Sequence, residues 1–288
     1  MDSLIVHNDR IVPLEEVHLS PGQVGLLMGW GVFTTLRIYR GVPFAFERHW
    51  ARMTRDAERL EVPMPYEMER VAGTLRDLAR ANSRPEGMAR VSFVKNQGGL
   101  WSQADDLGPT DLLIFTRELV PWPTAQRLVI QPMGIFSGGR YAGAKMLSWA
   151  PHAAVLACVH EVGYDDALLL NEMGHLAECT SANIFLVRGG KVLTPPLSSG
   201  CLSGITREIL FEIAPHAGIE IREQELTAQD LATAEEVFIS STTREVAAIS
   251  QIDPDWKFPA PGQITTALEH AFQDYVHSYL ALTPMERR

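Results

Sequence analysis

Short apolar runs at Leu4-Ile5-Val6 and Arg10-Ile11-Val12 read as strands. After the glycine-rich stretch 22–31, the β-branched and aromatic run Val32-Phe33-Thr34-Thr35-Leu36-Arg37-Ile38-Tyr39 predicts a longer strand, with a turn at Arg40-Gly41. The period then changes. Phe46, Trp50, Met53, Ala57 and Leu60 recur at helical spacing and predict an amphipathic helix over 46–60. Met68, Val71, Leu75 and Leu78 predict a second over 66–82, with strands following at 90–94 and 111–116.

Leu119-Val120-Pro121-Trp122-Pro123-Thr124 carries two prolines two apart, which disfavours helix and central strand alike. The expected domain boundary lies there, dividing the chain into 1–120 and 121–288. Beyond it a strand is expected at 128–133, a helix from Pro151, and a short buried strand at 167–170. A hairpin over 184–194 turns on Gly189-Gly190. A helix over 205–214, strands at 219–223 and 236–240, and a helix over 264–280 complete the pattern. Helices and strands mix in both halves without regular βαβ alternation. The expectation is an α/β chain of α+β type rather than a doubly wound sheet.

The length of 288 residues leaves room for two domains, and 46% apolar with 21% charged residues is ordinary for a globular protein. A net charge of −10 argues against nucleic acid as the main partner but not against an anionic small molecule. The N-terminus shows no signal-peptide pattern, and no apolar run approaches the roughly 20 residues of a membrane span. The three cysteines and nine histidines form no C-x-x-C or helical ligand pair, so the expectation is a cytoplasmic, metal-free chain.

Against that background one order of residues stands out. Lys145, in the uncharged setting Ala142-Gly143-Ala144-Lys145-Met146-Leu147, is an amine suited to forming a Schiff base. Glu178 follows 33 positions later, and Ser203-Gly204-Ile205-Thr206 opens a helix whose first N–H groups suit a phosphate. Ser241 and Thr242 could add donors there, and Arg52 could pair with the same phosphate bidentately. Asn183 could orient a cofactor oxygen or only the neighbouring backbone. Together these are the parts that pyridoxal 5'-phosphate needs. Taken singly they also describe a surface lysine, a turn glutamate and a capped helix.

In order and spacing, His49-x-x-Arg52, Lys145, Glu178 with Asn183-Ile184-Phe185, and Leu202-x-Gly204-Ile205-Thr206-Arg207 resemble the class IV aminotransferases, of PLP fold type IV. Gly163-Tyr164-Asp165-Asp166-Ala167-Leu168-Leu169 is similar to that family's segment before the glutamate, and the likeness runs from about residue 4 to 275. The resemblance implies a small N-terminal α/β domain, a larger barrel-like C-terminal one, and the cofactor between them. It implies Lys145 as Schiff-base lysine and proton shuttle, and Glu178 at the pyridine nitrogen. Arg52, Ile205, Thr206, Ser241 and Thr242 would hold the phosphate, in a homodimer or higher homo-oligomer.

There are departures as well. Gly29-Trp30-Gly31-Val32-Phe33-Thr34-Thr35-Leu36-Arg37 is closer to the aminodeoxychorismate lyases than to common branched-chain enzymes. Lys95-Asn96 stands where the family often has Arg-Gly, and the place of a basic residue in D-amino-acid enzymes falls near the apolar Leu100-Trp101. Phe33, Arg37, Arg90 and Lys95 are the substrate-side candidates, the last three because a substrate carboxylate needs a cation. The expected activity is transfer of an amino group between a branched-chain-like amino acid and a 2-oxo acid. The alternatives are an aminodeoxychorismate lyase and an (R)-amine or D-amino-acid transaminase, which Lys145 and Glu178 do not separate.

Overall fold

Strand alternation organises the N-terminal half. In the computed structural model, which describes residues 1–98, 108–283 and 285–287, this half runs through Leu4–His7 (β1), Arg10–Pro13 (β2), Val24–Met28 (α1), Gly31–Tyr39 (β3) and Val42–Pro43 (β4). It continues through Phe46–Leu60 (α2), Met68–Ala81 (α3), Gly87–Lys95 (β5) and Thr110–Arg117 (β6). The strands form one antiparallel sheet in the order β2-β1-β6-β5-β3-β4. Val32, Leu36 and Ile38 of β3, Ala89, Val91 and Phe93 of β5, and Leu112 and Ile114 of β6 share a core with Phe46, Met53 and Ala57 of α2. Val71, Leu75 and Leu78 of α3 complete it. Each of these side chains larger than alanine contributes about 1.5–3 kcal/mol by leaving water. The period of two then assigns Phe33, Thr35 and Arg37, with Arg90 and Ser92, to the opposite sheet face.

The second half comprises Ala125–Ile135 (β7), Ala150–Glu161 (α4), Asp166–Asn171 (β8), Leu176–Cys179 (β9), Asn183–Arg188 (β10) and Lys191–Thr194 (β11). Ile205–Ile213 (α5), Ile221–Glu223 (β12), Glu236–Ser241 (β13), Glu245–Asp253 (β14), Trp256–Lys257 (β15) and Gln263–Ala281 (α6) follow. Its sheet runs β12-β11-β10-β13-β14-β7-β8-β9, with β15 on β14. β7 pairs parallel with both β8 and β14, which makes the sheet mixed. Near-continuous apolar runs in β8 and β10 match burial on both faces. Phe185 and Phe238, directly opposite across β10 and β13, stack at 4.7 Å. Val155, Leu156 and Val159 of α4 pack against Ala167 and Leu169 of β8.

Two compact units result. One takes in 1–120, 144–149 and 279–288; the other takes in 121–143 and 150–278. A single cut at 120/121 therefore does not describe them, because the segment around Lys145 and the chain's last residues return to the first unit. β9 and β14 are strands that the apolar pattern does not predict, and Glu178 lies within β9 rather than in a turn. No described helix is long and apolar enough to cross a membrane.

Candidate active site

The segment 144–149 is held to β3 through its backbone. Phe33 N–H donates to the carbonyl of Lys145 (3.1 Å), and Leu147 N–H donates to that of Gly31 (2.9 Å). Ser148 Oγ donates to Gly29 O (2.9 Å). A fourth tether comes from α2, where Asp56 Oδ2 accepts the N–H of Lys145 at 3.0 Å. Lys145 is thus fixed on both sides of its peptide unit.

The helix supplying Asp56 carries a polar stripe along its buried face. His49, Arg52 and Asp56 recur at helical spacing with 1%, 6% and 0% exposure. Arg52 donates to Thr34 Oγ1 (3.0 Å), and that hydroxyl lies 2.7 Å from His49 Nδ1. The Thr34 hydroxyl thus bridges Arg52 and the imidazole, accepting from the guanidinium and sharing one proton with Nδ1, in a direction set by the ring tautomer. Burial, then the charges of Arg52 and Lys145, hold the His49 pKa well below the ordinary histidine range. His49 is therefore a neutral spacer that fixes Thr34 beside Arg52.

The Lys145 amine sits in an aromatic corner. Nζ is 4.6 Å from the Phe33 ring centroid and 4.5 Å from that of Trp149. The two rings meet edge to face, 5.8 Å apart at 85°. Arg90 also lies over Phe33, at 3.6 Å, and among the described residues it has no carboxylate partner. Burial pulls its pKa down from the usual arginine range. Arg37 stacks on Tyr39 at 4.4 Å, on the same sheet face. Lys95 alternates onto the other face, with Val91 and Phe93, and stacks on Trp30 at 3.8 Å. The positions near Leu100-Trp101 lie outside the described residues.

In the second unit, Glu178 on β9 is 6% exposed. The Asn183 side-chain amide reaches it weakly at 3.4 Å and donates to Leu202 O at 2.9 Å, linking the carboxylate to the loop before α5. That helix starts after Gly204 with no side-chain cap, so the N–H groups at Ile205 and Thr206 keep their affinity for an anion. Glycine at 204 leaves room for the Asn183 side chain, since a Cβ would stand 2.1 Å from Asn183 Oδ1 and force one of the two to shift. Ser241 and Thr242 end β13 and begin its turn, both half-buried. Beside them Arg244 pairs with Asp166 at 2.7 Å, both nearly inaccessible. Asp166 also accepts from Thr180 N–H (3.0 Å) and Ser181 Oγ (3.0 Å), bracing the chain between Glu178 and Asn183. Burial, then the charge of Glu178, pushes the Cys201 thiol up to about 11, and burial raises that of Cys179 further, so neither is a thiolate at neutral pH.

The candidates therefore fall into two sets. Lys145, Arg52, Phe33, Arg37, Arg90 and Lys95 belong to the first unit. Glu178, Asn183, Ile205, Thr206, Ser241 and Thr242 belong to the second. Thr34, Asp56, Trp149, Asp166 and Arg244 were not legible as candidates. The signal for Asp56 was a charge one turn beyond Arg52, between the apolar positions Met53 and Ala57.

The family described as amino-transferase class IV matches residues 31–252. A protein of Methanocaldococcus jannaschii named putative branched-chain-amino-acid aminotransferase is 28% identical, over 93% of this chain and 94% of its own. The aminodeoxychorismate lyase of Bacillus subtilis is also 28% identical, over 96% of each. The crystal structure of a branched-chain aminotransferase from Thermoproteus uzoniensis, with norvaline, superposes with a TM-score of 0.87 at 25% identity, covering 96% of both chains.

Proposed function

The chain belongs to the class IV aminotransferases, and from that membership we propose that it moves an amino group from a branched-chain-like amino acid to a 2-oxo acid with pyridoxal 5'-phosphate as cofactor. The residues fit that group. A fixed lysine amine, a buried carboxylate, a buried arginine and a helix start without a side-chain cap are the donor set that an amine-linked, phosphate-bearing pyridine requires. When bound, the cofactor supplies an electron-poor ring that accepts the electron pair left as the substrate Cα loses its proton.

In this reading Lys145 Nζ takes the proton from Cα and returns it. Glu178 holds a proton on the pyridine nitrogen, and Asn183 keeps that carboxylate oriented. Arg52, Ile205, Thr206, Ser241 and Thr242 bind the phosphate, with Thr34 and His49 fixing the arginine. Phe33 and Arg37 line the substrate side, and Arg90 receives the substrate carboxylate. Arg90 is favoured over Lys95 because it shares the Phe33 ring with Lys145, whereas Lys95 alternates to the opposite sheet face. The observation that carries the reading is the fixed Lys145, whose amine stacks on the same Phe33 ring as Arg90, an arginine with no carboxylate partner among the described residues.

The same reading has the enzyme working in the cytoplasm as a homodimer. The consecutive exposed Leu26, Leu27 and Met28 of α1 support self-association, since such a run is costly to leave in water. Sedimentation of the wild type against Leu27→Asp tests it; a wild type that sediments as a monomer contradicts it.

Purified protein supplied with a panel of amino donors and either pyruvate or 2-oxoglutarate tests the activity. Transfer from branched-chain-like donors is expected. Pyruvate release from aminodeoxychorismate with no transfer from any donor would replace this reading by the lyase one, and transfer confined to D-amino acids or (R)-amines would change the substrate.

A further inference from the structure

We propose that Trp149 is a specificity-determining residue, whose indole closes an aromatic corner with Phe33 and limits the size of the apolar group on the carbon that Lys145 deprotonates. The inference rests on the reading of Lys145 as the residue that moves the Cα proton. Transfer to Nζ brings the carbon to about 3–3.5 Å from that nitrogen. The Phe33 and Trp149 centroids lie 4.6 and 4.5 Å from the same atom. A substituent that points from that carbon toward the corner meets both rings, since each centroid is within 5 Å of the same nitrogen.

The corner is rigid for reasons of backbone. Phe33 belongs to β3, and Arg90 stacks on its ring at 3.6 Å. Trp149 follows directly on Leu147 and Ser148, which are bonded to Gly31 and Gly29. Edge-to-face packing at 85° sets the opening between the rings. Two ring walls give an aliphatic or aryl substituent dispersion contacts, while the cation beside them, Arg90, is left for the substrate carboxylate. The corner thus selects apolar side chains, and the larger ring, Trp149, sets their length.

The test compares the cofactor-loaded wild type with Trp149→Ala and Trp149→Phe, each checked for native folding by circular dichroism. Two series are measured: kcat/KM for straight-chain 2-oxo acids of increasing length, and dissociation constants of the matching unreactive carboxylic acids. The second is read from the change in cofactor absorbance and needs no turnover. Trp149→Ala is expected to shift preference toward longer members by about tenfold in both series, with a smaller shift for Trp149→Phe. If both variants keep the wild-type order and spacing of affinities, the corner is not the determinant. If the wild type bound the acids but transferred no amino group, the transaminase reading would fail, while the acid series would still decide the role of Trp149.

Discussion

Lys145 and Asp56 are joined across 89 positions of sequence, the backbone N–H of the first donating to Oδ2 of the second at 3.0 Å. The carboxylate is fully buried, and its Oδ1 accepts no hydrogen bond although Arg55 (3.6 Å) and Arg59 (3.9 Å) lie within ion-pair reach. α2 therefore carries both the proposed phosphate arginine and the tether of the reactive lysine. Asp56→Ala leaves the Lys145 N–H without its acceptor, and a loss of about 1–3 kcal/mol is expected in denaturant unfolding. Turnover should fall with it, and Asp56→Asn, which keeps an acceptor, should recover part of both. Unchanged stability and rate in Asp56→Ala would remove Asp56 from the account.

Gly204→Ala tests the helix start. The added Cβ would meet Asn183 Oδ1 at 2.1 Å, so either Asn183 or the first turn of α5 must shift. A destabilisation of about 1–3 kcal/mol is expected, as for other overpacked sites. Equilibrium dialysis should show weaker retention of pyridoxal phosphate than in the wild type. Wild-type retention would mean that the α5 N-terminus does not hold the phosphate.

His49 gives a pH dependence whose sign is determined. Its pKa is lowered in the folded state, so the unfolded chain binds the extra proton first as pH falls. Stability from this residue is fully present above about pH 6.5 and declines below it, by up to about 1.4 kcal/mol per pH unit. Thermal melts between pH 7.5 and about 5 should show that decline, before most carboxylates titrate. In His49→Gln the slope should flatten; an equal slope in both proteins would contradict the assignment.

The buried pair of Asp166 and Arg244 should be costly to break from one side. Asp166→Ala leaves the guanidinium without its carboxylate and removes the acceptor of Thr180 N–H and Ser181 Oγ. A loss of about 3–5 kcal/mol is expected in chemical denaturation. A loss below about 1 kcal/mol would show that the pair does not brace the turn between Glu178 and Asn183.

Periodicity made α2 legible almost to the residue, because Phe46, Met53 and Ala57 face a sheet and must recur with the helical turn. The same pattern hid Asp56, since a polar residue on an apolar stripe breaks the regularity that is being read; Arg52 was reached through the His49-x-x-Arg52 resemblance instead. Lys145 and Glu178 were visible through their order in the chain. Trp149 was not, because its significance comes from the pairing of Leu147 with Gly31, a backbone contact with no side-chain signature. β9 has only four residues with a glutamate among them, and β14 mixes Ala, Ser and Gln with its apolar positions, so neither alternates cleanly. Arg90 and Lys95 looked equivalent until the bounds of β5 assigned them to opposite faces.

The most direct test of the central claim is the absorbance spectrum of Lys145→Ala against the wild type, each incubated with pyridoxal phosphate, desalted, and then given an amino donor. The account predicts that the wild type retains a cofactor band that responds to the donor, while Lys145→Ala retains less, shows no lysine-linked band and transfers no amino group. A Lys145→Ala protein with the wild-type band and wild-type turnover would contradict it.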